Sequence, residues 1–307
     1  MELFSVIIPA KWGALADRLY VRLSLEANQL HKIGQSVRFH CESFPTHAAV
    51  RCEAVLPGFN LSESGSGIYR FAAETLASFI MDQMENMLIR DIISGPYKYE
   101  DPAEIEAIGK YCDQVLHQGE SEAISQPSRL RRQSKIADAI CAYLEEHTDL
   151  HLEGFIRFRL KDYTDELREV AEYAIDEYIM EQQYQEFISL LKYFVYIQDT
   201  KIPVAHLIHH GGSDFTIYNE QMMPIDSEMF EGFTLELLDK EINFEDMIVS
   251  TLISVSPSQI VIHTREPEEQ SIKTIVQIFE ERATVCHYCK HCASAFVSGK
   301  NHDQLYP

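Results

Sequence analysis

The sequence predicts a mixed α+β or α/β protein. Strands from the two ends of the chain form one mixed sheet, and a large all-helical region lies between them. Three observations predict this. From Phe155 to Ile202 there is no Gly and no Pro, and apolar residues return at three- and four-residue steps. Strand-like runs gather before residue 57 and after residue 202. The span 259–286 reads as strand, helix, strand, the pattern of a right-handed parallel crossover. The expected organisation is a β-α-β-β unit over 1–60, a helical region over 68–202, an α/β unit over 203–292 and a flexible tail over 293–307. One sheet is preferred because neither end alone supplies enough strands for a stable sheet.

The elements follow in order. ELFSVIIP (2–9) reads as a buried strand and not as a leader, because Glu2 comes early and no basic residues precede the apolar run. Lys11 to Lys32 carries a helical stripe through Leu15, Leu19, Leu23 and Leu30, with Gly34 placed to end it. Val37 to Phe44 and Ala48 to Leu56 read as strands, the first by its alternation of Val37, Phe39 and Cys41. Pro57-Gly58 and SESGSG (62–67) read as a turn or linker. A helix over Ile68 to Ile93 is stopped by Gly95-Pro96. The next runs over Glu104 to Leu116, with Asp101 as its cap and Pro102 at its first position. His117 to Ser128 reads as a loop, Arg129 to Glu146 as a helix, and Asp149 as the cap of the helix that follows.

That helix is the organising stretch. Ile156, Leu160, Tyr163, Leu167, Val170, Ala174 and Tyr178 mark one buried face, continued by Phe187, Leu191, Phe194 and Val195. Asp162, Glu166, Glu169, Glu172 and Asp176 mark the wet face. The stretch is one or two helices, with a break near Glu181-Gln182-Gln183, and its Met and aromatic residues are expected in the core. Val204 to His209 is a strand that turns at Gly211-Gly212 into Phe215 to Tyr218. Phe244 to Ser254 is taken as a helix. Gln259 to His263 is a buried strand, a helix begins at Pro267, and Arg282 to Cys286 is the last strand.

Composition narrows the function. The 307 residues are 46% hydrophobic and 24% charged, which suits a folded core. The formal net charge of −22 repels nucleic acid and anionic lipid, so neither is an expected partner. No run reaches the roughly 18 apolar residues needed to span a bilayer. Seven cysteines, an odd number, point to reduced thiols and a cytoplasmic setting.

Three of those cysteines carry the best chemical signal. Cys286, Cys289 and Cys292 repeat C-x-x-C, a spacing at which thiolates grip one ion. They follow a strand that closes a crossover, where open α/β sheets place their sites. Zinc needs a fourth ligand, and the candidates are His302, His287, His291 or a distant residue such as His263. An iron–sulfur cluster is the other cofactor considered, although no fourth cysteine stands in ferredoxin spacing. The competing readings are an exposed cysteine-rich tail and a redox-active C-x-x-C.

Other groupings are weaker. His206, His209 and His210 near Asp214 can bind metal or move protons, and in a strand His206 and His210 share a face. Their plainer reading is a strand edge with solvated histidines. A hydrolase or transferase using His209, His210 or Asp214 is the weakest function considered. Arg129, Arg131, Arg132 and Lys135 form the one dense basic patch, read as the wet face of a helix start. No G-x-S-x-G, H-E-x-x-H or Walker motif is present, so no complete catalytic constellation is found.

The segment Gly154-Phe155-Ile156-Arg157-Phe158-Arg159-Leu160-Lys161-Asp162-Tyr163, its continuation to Leu190-Leu191-Lys192-Tyr193-Phe194-Val195, and the ending in Cys286, Cys289 and Cys292 resemble the YtxC-like family. That resemblance implies a cytoplasmic protein linked to sporulation in spore-forming Firmicutes, with no established activity. It carries over no catalytic residue. The leading expectation is a protein acting through a protein partner; the alternative is a zinc or iron–sulfur protein using the three cysteines.

Overall fold

The computed structural model describes residues 1–55, 59–117, 122–212, 214–225, 244–287, 289–290 and 292. The expected turn at Pro57-Gly58 and the tail over 293–307 lie outside them. The chain divides into two compact units, Met1–Met180 and Glu181–Pro307. Among the described residues no helix is long and apolar enough to cross a membrane.

The first unit is built on β1 (Glu2–Pro9), which pairs antiparallel with β3 (His47–Ala54). β3 pairs antiparallel with β2 (Val37–Ser43). The alternation expected of β2 is present: Val37 and Phe39 are buried, Arg38 and His40 exposed. Between β1 and β2 run α1 (Gly13–Gln29) and a short α2 (His31–Ser36). Leu19 and Leu23, one turn apart, lie fully in the core. The expected helix thus breaks at Leu30, and Gly34 falls inside α2 instead of ending α1.

The middle is helical with one exception. Its helices are α3 (Leu61–Gln83), α4 (Glu85–Ser94), α5 (Pro102–His117) and α6 (Glu122–Glu146), followed by α7 (Leu152–Arg159) and α8 (Lys161–Ile197). SESGSG is the first turns of α3 and not a linker, because the apolar face that follows (Ile68, Ala72, Leu76 and Phe79, all buried) packs strongly enough to carry weak helix formers with it. The helix expected over 68–93 bends at Met84. Asp101 caps α5 as expected: the Ala103 N–H donates to its Oδ1 at 2.9 Å. The loop expected through Ser128 gives way to α6 from Glu122.

The exception is β4 (Asp149–His151), which pairs parallel with β1. Asp149 therefore caps no helix. Its carboxylate accepts a hydrogen bond from the buried Ser5 hydroxyl at 2.5 Å. The long helix begins only after a break at Leu160 and then runs unbroken through Glu181–Gln183.

The second unit has its own sheet. β5 (Ile202–Gly211) and β6 (Asp214–Asn219) form an antiparallel hairpin. Its turn needs Gly211 (φ +123°) and Gly212 (φ +57°). α9 (Phe244–Val255) leads to β7 (Pro257–His263), parallel to β5. α10 (Gln270–Phe279) crosses over to β8 (Ala283–Val285), parallel to β7. Pro267 and Glu268 form the turn ahead of α10, which starts one turn later than expected. Ile272, Ile275 and Ile278 face the core beneath the sheet, beside Leu207, Ile260 and Ile262.

The mixed class, with strands from both ends and a helical middle, is what the structure shows. The single shared sheet is corrected to two four-stranded sheets, ordered β2-β3-β1-β4 and β6-β5-β7-β8. The reason is β4: three residues from the middle bring the first sheet to four strands, so it needs none from the other end.

One expectation about α8 also fails. Ile188 and Val195 are its buried residues in the second unit, whereas Phe187 and Phe194 are exposed. The buried face is rotated by one residue from the one the sequence suggested.

Candidate metal centre

β7 and β8 lie side by side and parallel, so their carboxyl ends open at the same edge. β7 ends on His263, which is 1% exposed. β8 ends at Val285, and the next residue, Cys286, still donates its N–H to the Ile262 carbonyl at 2.8 Å. That bond fixes the first cysteine beside the histidine. The chain then turns back and brings Cys289 and Cys292 over the same corner.

The result is one compact group. The ligand atoms of His263, Cys286, Cys289 and Cys292 all lie within 4.8 Å of one another. The Cys292 Sγ is 3.8 Å from that of Cys286 and 4.0 Å from that of Cys289. The His263 Nδ1 is 3.2 Å from Cys292 Sγ and 3.6 Å from Cys289 Sγ. Cys292 is buried, and Ile208, Tyr218 and Met222 line the corner. Such a group could hold a metal ion.

The corner is poorly suited to being empty of charge compensation. Burial pushes the Cys292 thiol up to about 11, and the neighbouring Cys286 and Cys289 sulfurs push it the same way. A cation among the sulfurs reverses that preference, because it neutralises the thiolates as they form.

Of the four histidines considered as the last ligand, the structure brings His263 to the sulfurs. His287 is exposed and not part of the group. His291 and His302 lie outside the described residues. The three cysteines are neither an exposed tail nor scattered.

The structure adds a residue that the sequence did not connect to this site. His206 Nδ1 lies 3.1 Å from His263 Nε2. In β5 the positions facing this corner are His206 and Ile208, which pair with Val261 and His263 of β7. With Nδ1 turned to the sulfurs as an acceptor, the other ring nitrogen of His263 carries the proton and donates it to His206. This is the arrangement by which outer partners fix the tautomer of a ligating histidine. Strand parity was the available signal, but it needed the β5–β7 register.

The remaining groupings do not assemble a second site. His209 is buried between the Thr264 hydroxyl (2.8 Å) and the Gly212 carbonyl (2.9 Å), and it stacks on Phe215. His210, next in the strand, is exposed and meets Thr216 Oγ1 at 3.2 Å. Consecutive strand residues face opposite ways, so these two do not converge, and Asp214 is exposed. The strand-edge reading holds for His210 and fails for His209.

The basic patch is partly internal. Arg129 pairs with Asp82. Arg132 is 6% exposed and lies between Glu85 (4.0 Å) and Glu166 (3.9 Å). Tyr163 donates its hydroxyl to Glu85 at 2.8 Å, and burial together with that carboxylate pushes the phenol far above its usual range. Only Arg131 and Lys135 keep the expected wet face.

Fold and corner together define the class: a mixed α+β protein whose second sheet carries a three-cysteine, one-histidine ligand group at the carboxyl ends of two parallel strands. A profile of the YtxC-like family matches residues 70–284, so the chain belongs to the YtxC-like family. It is similar to the Uncharacterized protein YtxC of Bacillus subtilis (strain 168), at 29% identity over 216 residues, which cover 70% of this chain and 76% of that relative. The matched range includes His263 and ends two residues before Cys286. No solved structure matches.

Proposed function

We propose that this chain is a zinc protein, with His263, Cys286, Cys289 and Cys292 holding one ion. The observation that carries the reading is the mutual spacing of the four ligand atoms. A tetrahedral zinc with sulfur at about 2.3 Å and nitrogen at about 2.0 Å sets sulfurs about 3.8 Å apart and sulfur from nitrogen about 3.5 Å apart. The corner offers 3.8 and 4.0 Å between sulfurs, and 3.2 and 3.6 Å from sulfur to nitrogen. An iron–sulfur cluster suits it less, because in a cluster of several irons the thiolates bind different atoms and stand farther apart.

Four protein ligands close a tetrahedral shell and leave no position for substrate. The ion's role is therefore structural: it ties the end of β7 to the chain beyond β8. The test is elemental analysis of the protein purified without chelator. One zinc per chain, lost in the triple variant Cys286→Ser/Cys289→Ser/Cys292→Ser, supports the reading. A metal-free wild-type protein that takes up no zinc at micromolar concentration overturns it.

The setting that accompanies this reading is the one the family resemblance implies: a cytoplasmic role in sporulation, exercised through a protein partner. The closed metal shell supports it, since a filled tetrahedron binds and shapes but does not turn over substrate. A deletion strain that forms spores as efficiently as its parent would remove that part.

A further inference from the structure

The second-unit half of α8 has two apolar faces. Ile188 and Val195 are buried in the unit's own core. Phe187, Leu190, Tyr193, Phe194 and Ile197 are not; each stands between 43% and 59% exposed. Phe187, Leu190, Phe194 and Ile197 are separated by three, four and three residues. That is the a/d spacing at which one helix packs along another. An apolar arc this wide on a helix is normally buried against something.

The nature of the occupant follows from charge and area. Between residues 187 and 197 the only charged residue is Lys192, in a chain of net charge −22. Lys192 is already paired with Glu280 at 2.8 Å. The seam thus offers a partner neither attraction nor repulsion by charge, and it is complementary to another seam of its own kind. Covering the five side chains removes on the order of 500 Å² of mostly aromatic surface per copy, against roughly 800 Å² per partner in a standard interface. Flanking residues supply the rest.

We propose that this face of α8 is the interface of a two-fold homodimer, with the seam of one copy packed on the same seam of the other. The proposal does not depend on the metal.

Sedimentation velocity on the full chain tests it. The expected wild-type species has twice the 35.3 kDa mass of the chain. Phe187→Glu/Leu190→Glu is expected to weaken self-association by about 100-fold or more, since buried aromatic anchors dominate interface energies. Its circular dichroism should match wild type, because both side chains already face water. Tyr196→Glu, at 82% exposed and on another side of the helix, should remain a dimer. If the double variant proves unfolded, Ile197→Glu at the helix end decides in the same way. Wild-type protein that stays monomeric up to about 100 µM overturns the proposal, and then another segment of the chain or a different protein covers the seam. A dimer that survives the folded variants overturns it equally.

Discussion

The two sheets have the same size and a similar mix of pairings, yet they close differently. In the first, the parallel pair β1–β4 ends in a hydrogen bond from a buried serine to an aspartate, Ser5 to Asp149. In the second, the parallel pair β7–β8 ends in three sulfurs and an imidazole. The cores differ in the same sense. The first unit buries Phe4, Leu19, Leu23, Phe71, Leu76, Phe79 and Ile80 beneath sheet and helices, together with a long list of smaller residues. The second has a much smaller buried cluster around Leu207, Leu252, Ile260 and Ile275. A small core supplies little net stability, and small units commonly add a metal as a staple. The comparison teaches that the corner stands where apolar burial is scarcest.

The comparison breaks most visibly if the ion is removed. The triple cysteine variant, or chelation of the wild type, should selectively destabilise the second unit. A site holding its ion at a thousandfold excess over Kd contributes about 4 kcal/mol. Thermal unfolding followed by hydrogen exchange should show the second unit opening early and the first unchanged. The opposite arm is a core truncation in the first unit. Leu23→Ala should cost about 3 kcal/mol there and leave zinc content at one per chain.

Smaller effects sharpen the picture. His206→Phe removes the acceptor behind His263 without touching a ligand. It should weaken zinc binding roughly tenfold in a competition titration, with the zinc-loaded fold intact. Asp101→Ala should cost the first unit about 1 kcal/mol through its lost cap and leave metal binding alone.

The pH dependence separates the metal-free and loaded proteins. In the metal-free protein the Cys292 thiol is raised from its ordinary value of 9.0 to about 11, so folding favours the protonated form. The stability this contributes is complete below pH 9 and is lost as pH rises toward 11. In the loaded protein Cys292 is a thiolate on the ion, so stability should hold through that window and fall on the acid side as protons compete with zinc. Denaturation curves with and without chelator at pH 7, 9 and 11 check the two slopes.

Much of this was legible in the residues. Ile272, Ile275 and Ile278 between two short apolar runs announced the crossover, and the C-x-x-C-x-x-C announced the ligands. Asp101-Pro102 announced a helix start. What stayed hidden needed three-dimensional register. β4 is three residues long, too short to show a period. His206 and His263 meet only because β5 lies parallel to β7 in one register. α8 has two adjacent apolar arcs, and a helical period alone does not say which one its own core claims. That is why Phe187 and Phe194 were expected inside and stand outside. SESGSG was misread because local propensity was overridden by the packing of the turns that follow.

X-ray absorption at the zinc edge on the purified protein tests the central claim most directly. The account predicts a four-coordinate shell of three sulfurs at about 2.3 Å and one nitrogen at about 2.0 Å. A shell of oxygen and nitrogen alone, or one whose sulfur signal survives in the triple cysteine variant, would contradict it.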